Sequence, residues 1–349
     1  MKLKLKWSCM LGMVIIAVLL LSVNITACAS EAPVDNMGGV EMAFEPRSVI
    51  IDTDFASDAD DILAIRLALC YQDMGMLDVK AIMLSTNYSK SPQAVSSLCH
   101  YDGYKNIPVG MNTNYKYSVQ VPTKYVDVLC RYGGYADFTD STKLYRKILS
   151  QSEDKISIVT LGFLQNIQCL MNSGPDEYSP LTGMELILQK VDTLYVLGGN
   201  LNGMPSFNFY WTGETVNNAA QFVNTYYPGN LVYLPVSLGG DVWNGSYYQT
   251  DWRKKDPVTA ALEANGQKSG VVGWDTAGIY GMVKVMFDVN QIDGMFLLPG
   301  TMWIGDNGCT EWVNNSLIQN RKILMKTMPG DYYSNKIDSL LYRKFKGNE

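Results

Sequence analysis

The chain is expected to be an α/β protein with an open, mainly parallel mixed sheet and helices on both faces. Two observations predict this. Short apolar β-runs recur along the chain, and most are followed by a stretch whose apolar residues fall at helical spacing. No repeat, low-complexity stretch or interior linker interrupts that alternation from residue 47 to residue 349, so one domain is expected there.

The elements follow in order. Ser48–Asp52 (SVIID) reads as the first strand, and Asp58–Tyr71 as a helix carrying Ile62, Leu63, Leu67 and Leu69. Val79–Ser85 is a strand, Pro92–Tyr104 a helix, Ile107–Met111 a strand. Ile156–Thr160 is a strand that leads into a helix from about Leu164 to Met171. Thr193–Leu197 ends in Gly198-Gly199, Thr215–Asn224 is helical, Leu231–Val236 is a further strand, and a helix starts at Pro257, where proline suits a first turn. In such sheets ligands sit at the carboxyl ends of the strands, so the unusual residues are sought there.

Composition narrows the chemistry. The 349 residues carry a net charge of −6, which offers no basic face for nucleic acid. A single histidine, His100, leaves no two-histidine metal motif, and no phosphate loop, G-x-S-x-G elbow or G-x-G-x-x-G is present. Carboxylate and metal chemistry is what remains. At the N-terminus, Lys2, Lys4 and Lys6 precede an apolar run of 12 residues, Met10 to Leu21, and then Ile25-Thr26-Ala27-Cys28. This reads as a signal peptide (1–27) ending at a lipobox, with lipidation at Cys28 and a tether over 28–46. The expected location is the bacterial cell envelope, held to the membrane by the lipid. Removing 1–27 takes away three lysines and no acids, so the charge falls to −9. Cys70, Cys99, Cys130, Cys169 and Cys309 are scattered without metal-ligand spacing, and Cys70 and Cys169 read as buried thiols.

Five aspartates, Asp52, Asp54, Asp58, Asp60 and Asp61, fall within ten residues at the end of the first strand. Helix N-termini accept one or two acids, but five repel one another unless a cation is near. An all-oxygen donor set points to Ca²⁺ or Mg²⁺ rather than zinc. The segment Asp52-Thr53-Asp54…Asp60-Asp61-Ile62-Leu63-Ala64 resembles the D-T-D-x-G-x-D-D-A-x-A-L motif of the inosine–uridine-preferring nucleoside hydrolase family, with a turn two residues longer. Further resemblances follow in order: Thr86-Asn87, the Ile107–Gly110 "IPVG", Leu161–Ile167 like "GPLTNIA", Leu197-Gly198-Gly199 with Ser206-Phe207-Asn208 like "MGG…EFN", and Lys255–Ala260 like "HDPLAV".

This resemblance implies a Ca²⁺-dependent N-ribosyl hydrolase of the nucleoside hydrolase-like fold. Asp54, Asp61 and Asp256 would be the calcium carboxylates, the Gln165 backbone carbonyl a fourth ligand, and Asp54 the catalytic base. Asp60, Asn87 and Asn208 would hold a nucleoside or related ribosyl substrate; oligomerisation with further copies is left open. Three positions depart from the family pattern. Lys255 stands where other members carry a leaving-group histidine, Ser206 replaces the glutamate of "EFN", and the longer turn leaves open whether Asp58 or Asp60 faces the sugar. Tyr210, Trp211, Trp274 and Trp303 are candidates to stack on a base. Two other classes stay open: a non-catalytic sugar-binding lipoprotein on the same fold, and a haloacid-dehalogenase-type phosphohydrolase, for which Gly240-Asp241 is the one faint distal match.

Overall fold

The computed structural model describes residues 45–115, 124–211, 213–246, 256–267, 269–287 and 293–347. Cys28, the segment 1–27 and Lys255 lie outside the described residues. In chain order the elements are β1 (Arg47–Thr53), α1 (Asp60–Asp73), β2 (Leu77–Leu84), α2 (Ser91–Tyr101), β3 (Val109–Met111), α3 (Lys124–Leu129), β4 (Thr139–Asp140), α4 (Ser141–Gln151) and β5 (Ile156–Thr160). There follow α5 (Gln165–Met171), α6 (Gly183–Lys190), β6 (Val191–Leu197), α7 (Phe207–Tyr210), α8 (Glu214–Tyr226), β7 (Asn230–Leu234), β8 (Trp243–Asn244), α9 (Pro257–Ala264) and β9 (Val271–Val272). The chain ends with α10 (Trp274–Phe287), β10 (Met295–Ile304), β11 (Thr310–Asn314), β12 (Arg321–Lys326) and α11 (Gly330–Gly347).

Ten strands form one mixed sheet in the order β11-β10-β12-β7-β6-β5-β1-β2-β3-β4. All neighbours run parallel except β10, which is antiparallel to both β11 and β12. The expected open, mainly parallel sheet is therefore observed. The central strands alternate their side chains between two cores. Val49 and Ile51 of β1 pack with α1, α2, α9, α10 and α11, while Ile50 packs with α4, α5, α6 and α8 on the other face. Burial on both faces is what makes these strands apolar throughout. Among the described residues, no helix is long and apolar enough to cross a membrane.

One topological fact positions the site. From β1 the chain proceeds outward through β2, β3 and β4, and β5 then begins again on the other flank of β1. The carboxyl ends of β1 and β5 thus diverge into opposite crossovers and leave a crevice between them. Asp54 follows β1 there, and Leu161-Gly162 follows β5.

Candidate active site

The turn after β1 is built around Asp54. The Ser57 N–H donates to the Asp54 carbonyl at 3.0 Å, and the Ser57 hydroxyl donates to Asp54 Oδ2 at 2.7 Å. Ala56 adopts the left-handed conformation at φ 83°, where glycine is usual. Tyr125, buried and set edge-on to Phe55, braces that strained residue. Its hydroxyl accepts from the Ala56 N–H at 2.7 Å and donates to the Asp58 carbonyl at 2.6 Å. Across the crevice, Gly162 approaches so closely that a Cβ there would lie 2.4 Å from the Asp54 nitrogen and 2.5 Å from its Cβ. Only a hydrogen fits at that position.

Three carboxylates converge on this floor. Asp54, Asp61 in the first turn of α1 and Asp275 in the first turn of α10 offer oxygens that lie within 4.8 Å of one another. Among the described residues they form the one group of three acid, histidine or cysteine side chains close enough to share an ion. All three are buried. Asp61 Oδ1 accepts from the Thr53 hydroxyl, whereas Asp61 Oδ2 is buried without a hydrogen-bond partner. Asp60 accepts the Asp275 N–H on Oδ2 at 3.1 Å and so ties α1 to the start of α10.

Burial pushes the Asp54 carboxyl up to about 7, with the Ser57 hydroxyl opposing the rise. Burial also raises Asp60, Asp61 and Asp275 well above the usual carboxylate range, and their mutual charges add to it. Such a set is either partly protonated or holds a cation. Its all-oxygen donors and its orphaned buried oxygen fit a hard divalent ion.

The carboxylates open into a cavity of about 460 Å³. Asp54, Ser57, Asp58 and Asp60 line it, as do Phe207, Asn208, Trp211 and Trp274. Phe207 and Trp211 stack at 4.7 Å, and Trp211 lies nearly parallel to Phe163 at 6.1 Å. Trp274 Nε1 is buried without a partner. Asn208 is anchored by its amide, which donates to the carbonyls of Leu161 (2.6 Å) and Leu197 (2.9 Å) at the ends of β5 and β6.

The structure thus brings Asp54, Asp61, Asp60 and Asn208 to one place. It does not bring Asp256 there, and that assignment is corrected. Asp256 caps α9, with Oδ1 accepting the Val258 and Thr259 N–H groups, and both its oxygens accept from Arg66 at 2.8 and 2.6 Å. Arg66 is fully buried and also pairs with Asp102 at 2.9 Å. Both oxygens of Asp256 are thus taken up by the buried guanidinium and the helix cap. The third acid of the cluster is Asp275, which the sequence reading missed. Its signal was Trp274-Asp275-Thr276-Ala277, an acid opening a helix whose residues Asp275 to Val283 are all buried.

The other expected residues are placed as follows. Gln165 opens α5, fully buried, with neither side-chain polar atom hydrogen-bonded. Asn87 donates to the Tyr115 carbonyl at 2.6 Å and is not among the residues lining the cavity. Asp58 and Asp60 both line it. Of the four aromatic candidates, Trp211 and Trp274 line the cavity, and Phe207 joins them unforeseen. Asp241 is an exposed partner of Lys326, away from the cavity. Cys70 is buried as expected, but Cys169 is only half-buried.

No protein-family model matches the chain, and no curated protein matches it in sequence. Solved structures do. An inosine-uridine preferring nucleoside hydrolase from Bacillus anthracis superposes with a TM-score of 0.63 at 13% identity, covering 86% of this chain and 99% of that one. A plant nucleoside hydrolase aligns with a TM-score of 0.60 at 17% identity over 86% and 98%. The type III effector protein XopQ, complexed with adenosine diphosphate ribose, aligns with a TM-score of 0.58 at 12% identity over 86% and 93%.

Proposed function

We propose that this chain, whose fold is that of the nucleoside hydrolases, hydrolyses the N-glycosidic bond of a ribonucleoside or related ribosyl compound with the help of bound calcium. The observation that carries the reading is the Asp54–Asp61–Asp275 cluster at the floor of a cavity where β1 and β5 diverge. Those three carboxylates would hold the ion, joined by the Gln165 backbone carbonyl. When bound, a divalent cation supplies Lewis acidity to water and to hydroxyl groups and offsets the carboxylates' repulsion.

The chain's own residues do the rest. Asp54 is the base: its carboxylate lines the cavity, where it can take a proton from water. Asp60 and Asn208 orient the ribose; Asn208 spends its amide hydrogens on two carbonyls and so offers Oδ1 to a sugar hydroxyl. The remaining carboxylate charge stabilises an oxocarbenium-like transition state. Moving the third acid to Asp275 puts Trp274, rather than Lys255, at the place of the family's histidine. An indole holds its N–H too tightly to act as an acid, so help to the leaving group must come from binding instead of proton transfer.

The same reading extends to location. The basic start, the apolar run and Ile25–Cys28 support export and lipid attachment at Cys28, leaving residues 47–349 as the working domain. The deciding experiment is ribose release from nucleosides with calcium, after chelation, and in Asp54→Asn. Release that needs calcium and falls by at least ~10²-fold in Asp54→Asn supports the assignment. Undiminished release in either condition refutes it.

A further inference from the structure

The acidic side of the cavity has one carboxylate more than the reaction above employs. Asp54, Asp61 and Asp275 are assigned to the ion and Asp60 to the sugar, which leaves Asp58. Its Oδ1 accepts from the Ala59 N–H at 2.6 Å and from Gln267 Nε2 at 3.5 Å, so neither partner cancels its charge. Every ionisable side chain among the described lining residues is a carboxyl. Aromatic rings line the same cavity. Phe207 and Trp211 stay 43% and 38% exposed although stacked on each other, and Trp274 adds a third ring. Large rings held open beside uncancelled negative charge are the ingredients of recognition of a flat cation.

Resting on the N-ribosyl hydrolase reading, we infer that the cavity selects substrates whose leaving group is a cationic heteroaromatic ring, the N-ribosyl pyridinium class. The chemistry agrees with the lining. A neutral base departs as an anion and needs a proton, yet no histidine, lysine, arginine or tyrosine is among the described lining residues. In an N-ribosyl pyridinium the breaking C1′–N bond returns its electron pair to the ring nitrogen. The ring leaves as a neutral molecule and requires no acid. Water's oxygen bonds to C1′ and keeps one proton, and the other passes to Asp54 and then to solvent.

The test uses the full chain with calcium and three substrates: nicotinamide riboside, inosine and uridine. The cationic substrate should show a kcat/KM at least ~10-fold above the other two, the scale of one desolvated cation–aromatic contact. Independently of turnover, quenching of tryptophan fluorescence should show 1-methylnicotinamide, a cation without ribose, binding at least ~10-fold more tightly than neutral nicotinamide. Asp58→Asn and high salt should both shrink that gap. Faster hydrolysis of inosine or uridine overturns this inference and leaves the hydrolase reading intact. Ribose release from none of the three overturns the hydrolase reading and, with it, the substrate assignment. Equal quenching by the two probes refutes cation selection whatever the turnover.

Discussion

Replacing Asp275 by asparagine should remove most of the protein's thermal response to calcium, and replacing Asp256 by alanine should leave that response intact. At calcium a thousandfold above Kd, binding stabilises the fold by about 4.1 kcal/mol. Unfolding roughly 300 residues at about 2.1 cal/mol/K each carries an entropy near 0.63 kcal/mol/K, so the wild type should gain about 6–7 °C. The Asp275→Asn side chain keeps the shape but not the charge of one of only three clustered carboxylates. A loss of ~10²-fold in affinity, the upper end of what even an outer-sphere partner costs, leaves about 1.4 kcal/mol, or about 2 °C. Asp256→Ala acts elsewhere: it strands buried Arg66 with Asp102 as its remaining carboxylate partner. Breaking such a pair costs about 3–5 kcal/mol, a fall of about 5–8 °C that should be the same with chelator and with calcium. Differential scanning calorimetry of the three proteins, chelated and then calcium-saturated, separates the cases. A wild-type calcium increment in Asp275→Asn, or a lost increment in Asp256→Ala, would refute the assignment of the cluster.

The chelated protein should melt lower as pH rises from 5 to 8. Burial lifts Asp54 to about 7 and raises Asp60, Asp61 and Asp275, so the native state binds more protons than the unfolded chain, and stability present below the unfolded carboxylate range is lost as pH passes the raised values. The calcium increment should grow over the same interval, and a flat chelated profile would contradict the clustering. Gly162→Ala should cut ribose release by ~10²-fold, because its methyl would displace Asp54 from contacts as short as 2.4 Å; circular dichroism should show the fold retained. Cys28→Ser should free the processed protein from membranes or leave its precursor uncleaved, and a processed variant that stays membrane-bound would count against lipidation.

Much of the architecture was legible because buried parallel strands write themselves as apolar runs. Ile156–Thr160 has the same limits in sequence and structure, β1 and β6 extend their expected runs by a residue or two, and β2 starts two residues earlier and ends one earlier than expected. The C-terminal strands β10 to β12 were not foreseen. They lie at the sheet's edge region and are only partly buried, with basic residues at both ends of β12 and Pro299 and Gly300 inside β10, so they do not read as buried apolar runs. The aspartate-rich turn announced the site because mutual repulsion makes such a cluster costly without a purpose. The third acid was a choice between two helix-opening aspartates, and local sequence does not say which helix begins above β1. Pro257 favoured Asp256. The better clue was Arg66, a lone cation in the apolar run of α1, which required buried acids and found them in Asp102 and Asp256.

Asp54 and Asp275 stand more than two hundred positions apart, and this separation orders events in time as well as in space. A chain that has organised only its first half presents Asp54 and Asp61 without their third partner, since α10 is not yet docked. A bound ion would therefore have little to grip until the sheet is essentially complete, and it would give small assistance to the early stages of folding. Its grip would fall on the finished structure. Calcium should slow the unfolding rate by most of the equilibrium gain while leaving the refolding rate almost unchanged, so that the protein's lifetime, more than its speed of assembly, follows the calcium around it.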